Sequence, residues 1–136
     1  MKCVIDTNII FSALYRFDSP AGDLLVLAIY DRVTFYAPES VKEKLIRNLR
    51  DKLGYSITEI DATIIALPIT WVEKETYAPH LPDAVQFINH EPDVPVVACA
   101  LALGLAIIPG NKHFHPLKKE GIKVWRLKEV LGEIGT

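Results

Sequence analysis

The sequence predicts an α/β fold, a three-layer α/β/α sandwich with a central parallel sheet of about four to five strands. Three observations predict it. Short apolar, β-branched segments alternate along the chain with longer segments of helical spacing, and such alternation builds a parallel sheet with helices on both faces. Half of the 136 residues are hydrophobic, which suits a single domain taken as residues 1–136. At that size about two-thirds of the unfolded surface is buried on folding, so no covalent staple is required.

The elements follow in order. Residues 2–5 are apolar and β-branched, a short buried strand. Residues 8–16 have helical spacing, with Ile9, Ser12, Ala13 and Arg16 on related faces. Ser19-Pro20 opens a second helix, with Ser as cap and Pro at the first position, running to about Tyr30. Residues 33–37 form the second strand. In residues 38–53, Val41, Leu45, Leu49 and Leu53 make one apolar stripe, and Gly54 is a stop. Residues 56–67 are a further helix that Pro68 ends, and residues 69–72 are a third strand. A helix over 82–90 and a buried helix over 94–103, stopped by Gly104, come next. Residues 105–108 form a fourth strand ended by Pro109-Gly110, residues 122–126 a fifth, and residues 127–132 a last short helix.

Cys3 and Cys99 each sit in an apolar run and read as buried free thiols of a reducing compartment. The opening MKCVIDT has no long apolar region before a small-residue cleavage site, so no signal peptide is expected. The longest apolar run, 96–108, has 13 residues, whereas a transmembrane helix needs about 20. A cytoplasmic protein without a membrane span is the expectation. The net charge of −2 gives no global affinity for polyanions. Its distribution is uneven: six Lys/Arg against Glu120 in 112–128, five against Glu43 and Asp51 in 42–52, and five acids against Lys74 in 73–93. Basic segments around an acidic centre suit a metal-dependent enzyme acting on a polyanion; solvated helix faces give the same pattern.

In open parallel sheets, ligands bind at the carboxyl ends of the strands. That rule selects Asp6, Thr7 and Asn8 after the first strand, Glu39 and Glu43 after the second, and Asn111 after the fourth. Asp6 at a buried strand tip needs donors, a cation or a proton, though it also stands where a helix cap would. Glu43 either faces the cleft or pairs with Arg47 on an exposed face. Glu39 fits the positive end of its helix. Asp93 precedes an apolar helix and reads as an N-cap that is also placed to bind metal. His113 and His115, two apart around Phe114, are no helical metal pair, and with no His-x-x-x-His or Cys-x-x-Cys present they give little support to a zinc site. No Walker-A or Gly-x-Gly-x-x-Gly sequence occurs, and Asn8 stands where a haloacid-dehalogenase-like phosphatase would want a second Asp.

Together these residues resemble the PIN-domain family of metal-dependent ribonucleases, which includes the toxins of many prokaryotic toxin–antitoxin pairs. Val4-Ile5-Asp6-Thr7-Asn8 resembles the family's opening strand and first acid, with Ser12 at the position of a small hydroxyl residue. Ala37-Pro38 followed by Glu43 and Leu45 resembles the second-acid segment. Asp93-Val94-Pro95 with the small-residue helix after it resembles the third. Where the family commonly reads Thr/Ser-x-Asp, this chain reads Pro109-Gly110-Asn111, and His90 and Pro92 stand where further acids often accompany the third.

The resemblance implies that Asp6, Glu43 and Asp93 gather Mg²⁺ or Mn²⁺ for phosphodiester hydrolysis of RNA, supported by Thr7, Asn8, Ser12 and Asn111. Arg16, Lys42, Arg47 and Lys112 would line the substrate path. It also implies an antitoxin protein as partner and a homodimer, for which Leu24, Leu25, Leu27 and Ile29 are either interface or core. The alternative is a PIN-like module that binds nucleic acid or protein with weakened catalysis, because the fourth acid is Asn111.

Charge count sets affinity in oxygen-ligand sites. Asn111→Asp is therefore expected to tighten Mn²⁺ binding relative to the wild type in a calorimetric titration; equal affinities would remove Asn111 from the site.

Overall fold

The computed structural model describes residues 1–110 and 112–134. Four strands, β1 (Lys2–Ile5), β2 (Thr34–Pro38), β3 (Ile69–Val72) and β4 (Ala106–Ile108), form one sheet in the order β3-β2-β1-β4. Every pairing is parallel, with Cys3 opposite Phe35 on one side and Ala106 on the other. β1 is thus central, and Cys3, Val4 and Ile5 are fully buried, which is why this strand reads as a continuous apolar run.

Helices cover both faces, giving the three-layer α/β/α sandwich. They are α1 (Thr7–Tyr15), α2 (Pro20–Ile29), α3 (Glu39–Leu53), α4 (Ile57–Ala66), the single turns α5 (Lys74–Tyr77) and α6 (Leu81–Ala84), α7 (Val94–Leu103) and α8 (Leu127–Ile134). Local chemistry sets their ends. Ser19 accepts a bond from the Gly22 N–H and Pro20 opens α2. Ser56 and Glu59 form a reciprocal capping box on α4. Gly54 and Gly104 take left-handed backbone after α3 and α7, where a side chain would be strained. Val41, Leu45 and Leu49 of α3 are buried. Leu24 and Leu25 of α2 are core, whereas Ile29 is exposed. α7 packs across β1, β2 and β4. No helix among the described residues is long and apolar enough to cross a membrane.

The cysteines are free and buried, as expected. Burial pushes the thiol pKa up to about 11 for Cys3 and about 12 for Cys99.

Two segments differ from the sequence expectation, and a third carried none. Residues 122–126 are not a fifth strand: Val124 makes one isolated parallel bridge to Ile107, with bonds from Ile107 N–H to Lys123 O and from Trp125 N–H to Ile107 O. The ladder cannot lengthen, because the next β4 residues facing that side are Pro109, which has no N–H, and Leu105, whose N–H donates to Ala100 O. The helix expected over 82–90 starts earlier and is broken into single turns from Lys74 to Ala84; Pro79 and Pro82 remove donors from any continuous ladder. Finally, Lys112–Glu120 forms 3₁₀ turns. Phe114 and Leu117, three apart and buried, pin them to the core.

Phe35 is fully buried in β2. Phe35→Ala is expected to lower unfolding free energy by about 3–5 kcal/mol, whereas Ile65→Ala, at an 85% exposed position, stays within about 0.5 kcal/mol; urea denaturation of both reads the contrast.

Candidate acidic and histidine site

Strand order reverses between β1 and β4: β2 and β3 lie to one side of β1, β4 to the other. A crevice opens at the carboxyl ends of strands at such a switch point. Asp6 is the first residue past β1, and its N–H donates to Ile108 O at the end of β4 at 3.3 Å. The sheet itself therefore carries the Asp6 backbone to the crevice. Asp6 occupies the N-cap position of α1, yet its side chain makes no capping hydrogen bond. The residue is 2% exposed and its Oδ2 is buried without a hydrogen-bond partner.

The turn after β4 packs directly on this carboxylate. A Cβ on Gly110 would lie 2.6 Å from Asp6 Oδ2 and would overlap Asn8 Cβ. Glycine is needed there because the backbone approaches so closely.

Asp93 reaches the same region from a different element. It ends the 3₁₀ turn Glu91–Asp93, which its N–H closes by donating to His90 O at 2.9 Å. Asp93 stands at the N-cap of α7, again with no capping bond from its side chain. It is 1% exposed, and its Oδ2 is buried without a hydrogen-bond partner. Two imidazoles converge on that oxygen. His90 Nδ1 lies 3.0 Å away and His113 Nδ1 3.4 Å away. Neither contact has hydrogen-bond geometry, so the short distances leave Oδ2 without a bonded donor. The rings are 4.7 Å apart and tilted by 36°. Among the described residues, His90, Asp93 and His113 are the group that brings three potential ligand atoms within 4.8 Å of one another.

Burial, and then the Asp93 charge, hold the Asp6 carboxyl above the usual carboxylate range; Lys44 and the backbone N–H groups of Thr7 and Asn8 oppose this. Asp6 and Asp93 therefore share one electrostatic site.

The other expected residues are dispersed. Glu43 is exposed on α3, outside the three-donor group. It lines a groove of about 580 Å³ with Lys44, Arg47, Glu91 and Pro92. Thr7 is buried and Asn8 half-buried beneath Gly110, while Ser12 is exposed on α1. Arg16 is at the far end of α1 from Asp6, about 15 Å of helical rise away, and pairs with Asp18 at 3.3 Å. Lys42 lies over the Trp71 ring. Asn111 lies outside the described residues, as does the Lys112 side chain.

Sequence reading set His113 aside as a metal ligand and gave no site role to His90 or Lys44. His90 had a signal, its three-residue spacing from Asp93. His113 had none, because its partner is 20 positions away in sequence.

Two desolvated carboxylate oxygens without donors are costly unless a cation offsets them. The donor set fits a divalent ion: carboxylates suit hard cations, and imidazoles add affinity for borderline metals.

The sequence matches the family described as PIN domain over residues 4–134. None of the curated proteins matches it. Among solved structures, the fold is similar to a crystal structure of VapBC2 from Rickettsia felis bound to a DNA fragment from their promoter. The TM-score is 0.65 at 15% identity, covering 93% of this chain and 98% of that one.

The raised Asp6 pKa fixes the sign of one prediction. In metal-free buffer an acid with a raised folded-state pKa costs no stability while protonated, below its ordinary value of 3.8, and costs stability as pH rises through the folded value. Asp6→Asn is expected to raise the thermal midpoint at pH 7, with the gain shrinking toward pH 4. A lower midpoint at pH 7 would show that the Asp6 charge is already compensated by the protein.

Proposed function

The chain belongs to the PIN domain family, and from that premise we propose that it is a Mg²⁺- or Mn²⁺-dependent ribonuclease. The observation that supports it is the pair of buried oxygens without a hydrogen-bond partner, Asp6 Oδ2 beyond the central strand and Asp93 Oδ2, whose charge acts on Asp6. A divalent ion, when bound there, lowers the pKa of a water and offsets charge developing on a phosphate.

The protein's own residues supply the rest. Asp6 and Asp93 hold the ion, each fixed by a buried backbone. Glu43 contributes from the neighbouring groove, the second member of the carboxylate set that the family resemblance implies. Asn8 and Gly110 hold the Asp6 carboxylate in place by packing, with Thr7 beside it. Lys44 and Arg47, on the groove wall, attract the phosphate backbone of RNA. Hydrolysis forms one P–O bond to water and breaks another, and the leaving oxygen takes a proton.

The reading extends to a cytoplasmic toxin held by an antitoxin protein, and to a homodimer. Tyr15, Phe17, Ile29 and Tyr30 are large, apolar and more than half exposed on or beside α1 and α2, which supports a protein partner. Asn111 in place of a fourth acid favours a second reading, a module that binds RNA and cuts it slowly or not at all.

Purified protein incubated with mixed RNA and Mn²⁺ should cleave it. Asp6→Asn and Asp93→Asn should each reduce the rate by at least about 100-fold, the upper end of what an outer-shell change costs. Cleavage surviving both substitutions would overturn the assignment. RNA binding without cleavage by the wild type would favour the module.

A further inference from the structure

Nothing in acid-only ligation uses the imidazoles of His90 and His113. They come from separate elements, a loop before α7 and the 3₁₀ segment after β4. Phe114, fully buried, anchors His113, and Pro92 and Pro95 stiffen the approach to α7. Both rings present Nδ1 to the same carboxylate oxygen.

We propose that His90, Asp93 and His113 form a mixed imidazole–carboxylate site that takes a borderline transition-metal dication of the Zn²⁺ or Co²⁺ class in preference to Mg²⁺. The proposal deepens the reading above and rests on it for a divalent ion at Asp93. Nitrogen and oxygen ligands sit about 2.0–2.2 Å from such ions, so neighbouring ligand atoms are about 2.8–3.1 Å apart at right angles and about 3.3–3.6 Å apart at tetrahedral angles. The separations of 3.0 and 3.4 Å from Asp93 Oδ2 to the two Nδ1 atoms have that spacing. Asp93 Oδ2 is buried and makes no hydrogen bond, so it has capacity for a cation. Neutral imidazole favours Zn²⁺, Cu²⁺, Fe²⁺ and Ni²⁺, whereas Mg²⁺ demands oxygen ligands in near-octahedral array.

The site is also reachable. His90 and His113 are 46% and 48% exposed and open onto a cleft of about 580 Å³ lined by Phe87, Asn89 and Pro116. Glu91, Pro92 and Val94, next to Asp93 in sequence, line the Glu43 groove.

The test is a Co²⁺ titration followed by calorimetry and by visible d–d absorption, on wild type, His90→Ala, His113→Ala and the double variant. Both side chains are half-exposed, and thermal midpoints in EDTA check that the variants fold. The wild type should develop Co²⁺ absorption displaced by Zn²⁺. The double variant should lose more than about 100-fold in Co²⁺ affinity, beyond the cost of losing an outer-shell partner, with Mg²⁺ affinity unchanged. A smaller loss would assign the imidazoles a supporting contact and overturn ligation. RNA cleavage by the Co²⁺-, Zn²⁺- and Mn²⁺-loaded wild type separates the two readings: histidine-dependent Co²⁺ binding without cleavage upholds this site and sinks the nuclease, and cleavage with histidine-independent binding does the reverse.

Discussion

The burial of the Asp6 carboxylate at the end of the central strand constrains the rest of the site. β1 is covered on both faces and paired on both edges, so its backbone cannot shift to bring Asp6 to solvent without breaking ladders on two sides. The strand order then places the β4 turn against the carboxylate. Only a residue without Cβ fits at that contact, which ties Gly110 to Asp6 as closely as any hydrogen bond would. A charged group held this way is stabilised by its neighbours or costs folding free energy. Lys44 and two backbone amides supply part of that compensation, and Asp93 works against it.

Asp93 repeats the same device from the other side of the crevice. It stands where a helix cap stands and does not cap. Prolines in the preceding turn and in the first turn of α7 set the backbone, and the carboxylate is turned inward with an unbonded oxygen. Two like charges in one desolvated pocket favour whatever cation binds both or either. Under the proposed reading, a bound ion would add stability by mass action and offset the cost of that repulsion. That trade is familiar where local strain or repulsion serves function.

Electrostatics around the crevice are graded. The acids and imidazoles are at its floor and rim. Lys44, half-buried, acts on Asp6, and Arg47 is exposed on the groove wall. Under the proposed nuclease reading, such a layout would draw a polyanion toward a centre it would otherwise avoid. Arg16 and Lys42 are engaged by Asp18 and Trp71 instead.

Much of the fold was legible because its signals are local. Buried strands show as β-branched runs, and Ser19-Pro20, Ser56 with Glu59, Gly54 and Gly104 mark helix ends within one turn. Asp6 was legible for the same reason: a carboxylate directly after an apolar strand has few places to go. The tertiary structure decided what depends on residues far apart in sequence. That Asp6 and Asp93 leave their helix caps unmade and act on one another's charge is set by tertiary packing, not by position before a helix. Pro109 and Leu105 together deny the fifth strand its ladder, which neither residue reveals alone. Glu43 stands outside the three-donor group because the register of α3 against the sheet aims it into a groove. His113 meets Asp93 only because Phe114 anchors its segment in the core. Periodicity encodes which face of an element is buried; which elements then meet is fixed by packing, and that is where the imidazoles entered the site.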